Sequence, residues 1–404
     1  MIHSFSCKNF YSFKDLVTVN FIVNKHAPKS NGYFKDKSGT ILSKTETVIG
    51  SNASGKTNLL KALPFMKWLV LESFNLDPSS PIAVQPFKFG KNKENPTELS
   101  AEFEIDGTIY LYKFSLIPER ILTEQLFFKN KTKEKNTYKT AFSREWDKSS
   151  EKYKFNGKNF KFPKDFDKAL RKNTSVIGSA IRFNHIPSQK IANFWSHIET
   201  NVIETGWIGD YMSANSNINF IDALNFFSEN ETLKKEAEKL LANFDLGLDS
   251  FDIKKEKKDD EHIYIEAKVA HIFNGVKHYL DMKYESSGTR QLFALLKSIL
   301  LVLNRGGVVV LDEIDVNLHS EIVTALLDLF VQPETNPKNA QLIFSTHSHL
   351  VLNKLNKYQI ILVEKNKEGI SESWRLDEMS GVRSDDNYYL KYITGAYGAF
   401  PNII

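Results

Sequence analysis

Apolar residues in this chain change their spacing from block to block, and each change predicts an element. Residues 47–49, 307–311 and 342–344 are short unbroken apolar runs. Such runs mark strands buried on both faces of a parallel sheet. Residues 99–103, 109–115 and 121–128 alternate instead, which predicts an antiparallel sheet with Asp106-Gly107 as a hairpin turn. Helices are expected through 189–245, most clearly over 231–241. Alternation returns at 249–256 and 262–273, around the polar turn Lys257-Lys258-Asp259-Asp260. No heptad pattern runs long enough for a coiled-coil arm, and no tandem repeat is visible.

The polar residues that end these runs carry the chemistry. Gly50-Ser51-Asn52-Ala53-Ser54-Gly55-Lys56-Thr57 has the spacing G-x-x-x-x-G-K-T, between a strand and a helical pattern. In that context backbone N–H groups of residues such as Gly50, Asn52, Ser54, Gly55 and Asn58 cradle phosphates. Lys56 reaches the β- and γ-phosphates, and the Thr57 hydroxyl ligates Mg²⁺. The second run ends in Asp312-Glu313, placed where an open α/β sheet presents its chemistry. Asp312 is expected to hold Mg²⁺ and Glu313 to act as general base. The pair alone could equally cap a helix. The third run ends in Ser345-Thr346-His347-Ser348, so His347 is expected to face the γ-phosphate rather than the core.

Between loop and carboxylates, Ser286-Ser287-Gly288-Thr289 opens a helical run from Gln291 to Leu296. One nucleotide does not need two phosphate loops in one chain. This helix start is therefore expected to cap the γ-phosphate held by a second copy, although by itself the tetrapeptide is an ordinary helix cap. The four features imply a nucleotide-hydrolysing head that works as a head-to-tail homodimer or higher oligomer.

Their order resembles the ABC-type ATPases, in the branch of SMC, RecF and OLD proteins. Glu285-Ser286-Ser287-Gly288-Thr289, the opening Asn9-Phe10-Tyr11-Ser12-Phe13 and the stretch Tyr392 to Pro401 are similar to the stand-alone RloA/AbiLi-like ATPases of bacterial defence loci. The resemblance covers residues 1 to about 116 and about 280 to 404 and implies ATP and Mg²⁺ as cofactors. It makes Ser287 and Gly288 the contacts across the dimer and puts Asp315, Asn317 and His319 in a loop at the interface. His319 stands where transporters carry an aspartate. The resemblance makes Gln85 the glutamine that links Mg²⁺ to the other lobe. Tyr11 replaces the arginine of many relatives, which leaves the adenine contact open.

The implied fold is α/β, a two-lobed head with a mixed sheet and an antiparallel β-subdomain. Residues 1–128 form the first lobe, 129–249 a basic and helical insertion, and 250–404 the second lobe. The implied role is the ATPase switch of an anti-phage, abortive-infection system that controls a separate toxic effector, a nuclease. A RecF- or SMC-like DNA-repair ATPase is the alternative. A nuclease within this chain is not expected, since 57 residues follow His347.

Composition narrows the remaining classes. With 41% hydrophobic and 25% charged residues and one cysteine, the chain reads as cytoplasmic, with no membrane span, signal peptide or disulfide. Net charge is only +4. It is distributed unevenly: 129–172 holds fifteen lysines and arginines against six acids. Tyr138, Phe142, Trp146, Tyr153, Phe155, Phe160, Phe162 and Phe166 interleave with them. Cations with aromatics suit a nucleic acid or other polyanion, and they suit a solvated hairpin packed on the domain as well.

Overall fold

The computed structural model describes residues 1–130, 137–202, 216–244, 247–257 and 263–401. Lys131, Lys133, Glu134 and Lys135 of the basic segment, and Lys258, Asp259 and Asp260 of the expected turn, lie outside the described residues.

The apolar runs form the centre of a six-stranded sheet. Its order is Ile198–Thr200, Val308–Leu311, Gln341–Ser345, Thr45–Ile49, Ile360–Lys365 and Ser371–Arg375. The first five are mutually parallel and the last is antiparallel to its neighbour. Both faces of these strands are covered, which explains the unbroken apolar pattern. Alternate residues serve two different cores. Val48, Val308, Val310, Ile343, Ile361 and Val363 join one. Ile49, Val309, Leu311, Leu342, Phe344 and Leu362 join the other.

The first core is closed by helix Ala62–Leu71 and by a seven-stranded antiparallel sheet. That sheet contains the expected strands as Thr97–Ile105, Thr108–Ile117 and Arg120–Asn130. Asp106 at φ 50 and Gly107 at φ 82 make the predicted tight turn between the first two. The second core is closed by helices Ser216–Glu229, Glu231–Asn243, Ser287–Arg305 and Ser320–Val331. The result is a two-lobed α/β molecule whose lobes share the central sheet.

The region expected as an insertion supplies strands to both sheets. Lys139–Asp147 and Lys152–Asn156 extend the antiparallel sheet as an outer hairpin. Ile198–Thr200, within the stretch expected to be helical, becomes the edge of the central sheet. Of the interleaved aromatics, Phe142, Phe160 and Phe166 are buried in the first core and so cannot stack bases. Lys152 and Lys154 are exposed on the outermost strand, where lysines prevent further strand pairing. Charge dominated the sequence pattern here and hid a period of two.

Residues 249–256 lie within strand Leu248–Lys257 and residues 263–273 form strand Ile263–Phe273, His262 lying outside the described residues. A third strand, Val276–Asp281, follows through an Asn274-Gly275 turn. Near the end of the chain, Asp385 pairs with Arg383, and Asp386 accepts from the Arg383 N–H. Both thus belong to a polar loop before helix Tyr388–Ile393.

In the first strand, Ile2–Lys8, His3 is buried with its Nε2 2.6 Å from Asp36 and Nδ1 3.8 Å from Glu102. Burial opposes its charge, yet the bonds to Asp36 and Glu102 outweigh burial and raise its pKa. Asp36 meanwhile is held down at about 2, against its own burial, by His3, Ser38 and Thr40. A raised histidine contributes stability in full below its unfolded pKa and loses it as pH rises through the folded value. The melting temperature of His3→Gln should therefore fall less between pH 6 and 9 than that of the wild type, by roughly 1–3 °C. Parallel pH curves for the two proteins would refute the ion pair's contribution.

Candidate functional site

Strand Thr45–Ile49 is buried along its whole length and delivers the chain to Gly50. A Cβ on Gly50 would collide with the Val363 carbonyl oxygen of the neighbouring strand. Gly55, at φ 118, leaves no room beside Ser371 Oγ. Both glycines are thus required by close approach. Helix Lys56–Leu60 starts directly after them, so its N-terminal N–H groups point into the loop. Ser371 Oγ reaches the Ser54 carbonyl at 2.5 Å and Ser12 Oγ at 2.8 Å, while Asn58 Nδ2 donates to Ser12 Oγ. Residues far apart in sequence pin the floor of the loop.

Lys56 is buried and donates to the Gly50 and Ser51 carbonyls at 3.0 Å each. Burial lowers its pKa, and the charges of Asp312, Glu313 and Asp315 oppose that shift. The Ser54 hydroxyl is buried and has no hydrogen-bond partner among the described residues. A cradle walled by glycines, with a lysine and an orphaned hydroxyl, fits phosphate oxygens.

Strand Val308–Leu311 carries Asp312 and Glu313 to the same end of the sheet. Ser345 on the adjacent strand joins them: its Oγ donates to Asp312 Oδ1 at 2.5 Å and accepts from the Glu313 N–H at 2.7 Å. Glu313 sits at φ 47, a left-handed conformation held by these contacts. Its Oε1 is 3.8 Å from His347 Nε2, and both side chains are accessible, at 50% and 39%. Asp315 accepts from the His347 N–H through both oxygens at 3.1 Å. A cavity of about 800 Å³ is lined by Asn52 to Asn58, Glu313, His347 and Lys365. A lysine cradle, a carboxylate and an imidazole thus face one space.

The remaining expected residues are distributed differently. Asp312 lines a neighbouring cavity of about 360 Å³ with Glu313, Ser287, Arg290 and Asn317. Ser286 caps helix Ser287–Arg305, its Oγ accepting from the Thr289 N–H at 3.1 Å. Ser287 is exposed, whereas Thr289 is buried and its hydroxyl bonds to Ser286 within the cap. Gly288 lies so close to the Asn317 carbonyl of the same chain that a Cβ would clash. His319 caps helix Ser320–Val331 by accepting from the Glu321 N–H. Asp315 and His319 therefore have local duties within the chain. Gln85 lies in a third cavity, of about 460 Å³, which shares Asn58 and Lys365 with the loop cavity.

The stretch that carries these elements matches a known family. Residues 47–353 match the family model described as "AAA domain, putative AbiEii toxin, Type IV TA system". The chain belongs to this family. It is an ATPase domain of the AAA type. No curated protein matches the chain. Among solved structures, the SMC head domain from Thermotoga maritima is similar at 15% identity and TM-score 0.42, covering 93% of this chain and 98% of that one. An Smc head bound to the C-winged helix domain of ScpA gives 16% and 0.45, over 93% and 98%. An Smc head with an extended coiled coil, bound to the C-terminal domain of ScpA derived from Pyrococcus furiosus, gives 14% and 0.44, over 93% and 97%.

Sequence patterns did not single out Ser345, Ser12, Ser371 or Lys365 for this AAA domain. Ser345 carried a signal, since polarity rises abruptly at the end of its strand. Ser12 stands in the opening motif Asn9 to Phe13 with no role read for it there, and Ser371 and Lys365 have no signal, because only the fold brings them to the loop. Among the described residues no helix is long and apolar enough to cross a membrane.

Proposed function

We propose that this AAA domain binds and hydrolyses ATP at composite sites between two copies placed head to tail, and thereby switches a separate toxic effector, a nuclease, in an anti-phage abortive-infection system. The observation that carries the hydrolytic reading is the single cavity shared by Lys56, Thr57, Glu313 and His347.

On binding, Lys56 exchanges the Gly50 and Ser51 carbonyls for the β- and γ-phosphates, and the Ser54 hydroxyl gains the partner it lacks. Thr57 and Asp312 would hold Mg²⁺, which when bound neutralises phosphate charge. Ser345 fixes Asp312 and the Glu313 peptide, so Glu313 is poised to take a proton from the attacking water. His347, beside Glu313, faces the γ-phosphate side. Ser287 and Gly288 of the second copy close the site. ATP then holds two copies together and hydrolysis releases them, a change of assembly that an effector can read.

A toxic role finds support in the family description, which names a toxin and a toxin–antitoxin system. The test is mass photometry of the purified protein with the product of the adjacent gene, with and without ATP. An ATP-dependent complex containing the neighbour is the expected result. Complexes that ignore the neighbour and form on duplex DNA would replace the defence reading with DNA repair.

A further inference from the structure

The Asp312-Glu313 turn is gripped from both neighbouring strands, and only one grip, Ser345, has a place in the mechanism above. The other comes from Asn201, 111 positions earlier in the chain. Strand Ile198–Thr200 pairs in parallel with Val308, Val309 and Val310, and the Asn201 N–H extends that ladder to the Val310 carbonyl at 3.3 Å. Beyond this point the Asn201 side chain takes over. Its Oδ1 accepts from the Asp312 N–H at 2.7 Å and its Nδ2 donates to the Asp312 carbonyl at 3.0 Å. A carboxamide offers the same donor and acceptor as a peptide, so it prolongs the sheet by one residue.

We propose that Asn201 is a positioning residue of the hydrolytic site. It fixes the peptide that aims the Asp312 carboxylate and leads into the left-handed Glu313. The inference rests on the hydrolytic reading of those two acids. A left-handed glutamate is strained and persists only where its surroundings hold it. Asn201 and Ser345 hold it from opposite sides: one binds both backbone groups of Asp312, the other its carboxylate and the next N–H. Asn201 lines the smaller cavity with Asp312 and Glu313 and is absent from the walls of the loop cavity. Its loss should therefore disturb metal and turnover, and leave phosphate binding alone.

The experiment compares wild type, Asn201→Asp, Asn201→Ala and, as a stability control from the same strand, Glu199→Gln. Asn201→Asp keeps the acceptor, loses the donor and sets a carboxylate against the Asp312 carbonyl. Both Asn201 variants should lower kcat about 10- to 100-fold and raise the Mg²⁺ concentration for half-maximal activity roughly three- to tenfold. Their ATP affinity should stay within about threefold of wild type. Glu199→Gln loses bonds to Lys297 and Arg305 and should lower the melting temperature without moving the metal requirement. Variants of Asn201 with wild-type kcat and metal requirement would overturn the proposal, as would a loss reproduced by Glu199→Gln. A wild type that hydrolyses no ATP defeats the hydrolytic reading instead. In that case Mn²⁺ titration of the ADP complex decides separately: weaker binding in Asn201→Asp upholds the positioning role, and equal binding ends it.

Discussion

Glu313→Gln should bind ATP as tightly as the wild type and turn it over at least 100 times more slowly. The amide matches the carboxylate in shape and keeps the contacts of the turn, because the bond to Ser345 comes from the Glu313 backbone N–H. What it loses is the ability to accept a proton, worth about 10²- to 10⁴-fold in rate. Nucleotide affinity should survive, since the cradle is built from Gly50 to Thr57 and not from this side chain. Removing a negative charge from the cavity also lessens repulsion with phosphate. With hydrolysis blocked, the ATP-bound assembly accumulates, and mass photometry should show dimers that vanish when ATP is replaced by ADP. A variant that stays monomeric at saturating ATP and Mg²⁺ would falsify the composite site.

Mixing two inactive variants should restore activity, and this is the sharper test of which chain supplies Gly288. Lys56→Ala removes the lysine from its own cradle. Gly288→Ala drives a methyl group into the Asn317 carbonyl and displaces the start of helix Ser287–Arg305. Each alone should lose about 10²-fold or more of turnover, Gly288→Ala while still binding ATP. If the signature acts across the dimer, mixed pairs hold one intact site made from the undamaged parts of each chain. Random pairing then gives about a quarter of wild-type activity, because half the dimers are mixed and each keeps one of two sites. The contact between Gly288 and Asn317 lies within one chain, so a purely internal role is a real competitor. Under that role the mixture stays as inactive as its components.

Three of the five parallel strands were legible as unbroken apolar runs at 47–49, 307–311 and 342–344, where burial on both faces favours apolar residues. Their polar ends named Lys56, Asp312, Glu313 and His347, whereas Ile360–Lys365 was not read. The Asp106-Gly107 hairpin was legible because few residues adopt two successive left-handed conformations. Strand Val276–Asp281 was not, since five of its six residues are exposed and no alternation survives. Strand Ile198–Thr200 is too short to show a period at all. Asn201 illustrates a deeper limit: its partner is a backbone amide, which any residue at position 312 would present. The positions Thr289 and His319 show that one residue type can suit two uses. Both were expected at an interface between copies, and within the chain both also take part in helix caps.

The edge strand Ile198–Thr200 also bears on how this protein can be taken apart. A region that looks like a removable module in sequence supplies the outermost strand of the central sheet. Excising 129–249 would strip the flank from Val308–Leu311 and expose a hydrophobic sheet edge to pairing with other molecules. Grafts between relatives should therefore treat residues up to Val202 as part of the engine, and place their seams farther along the chain.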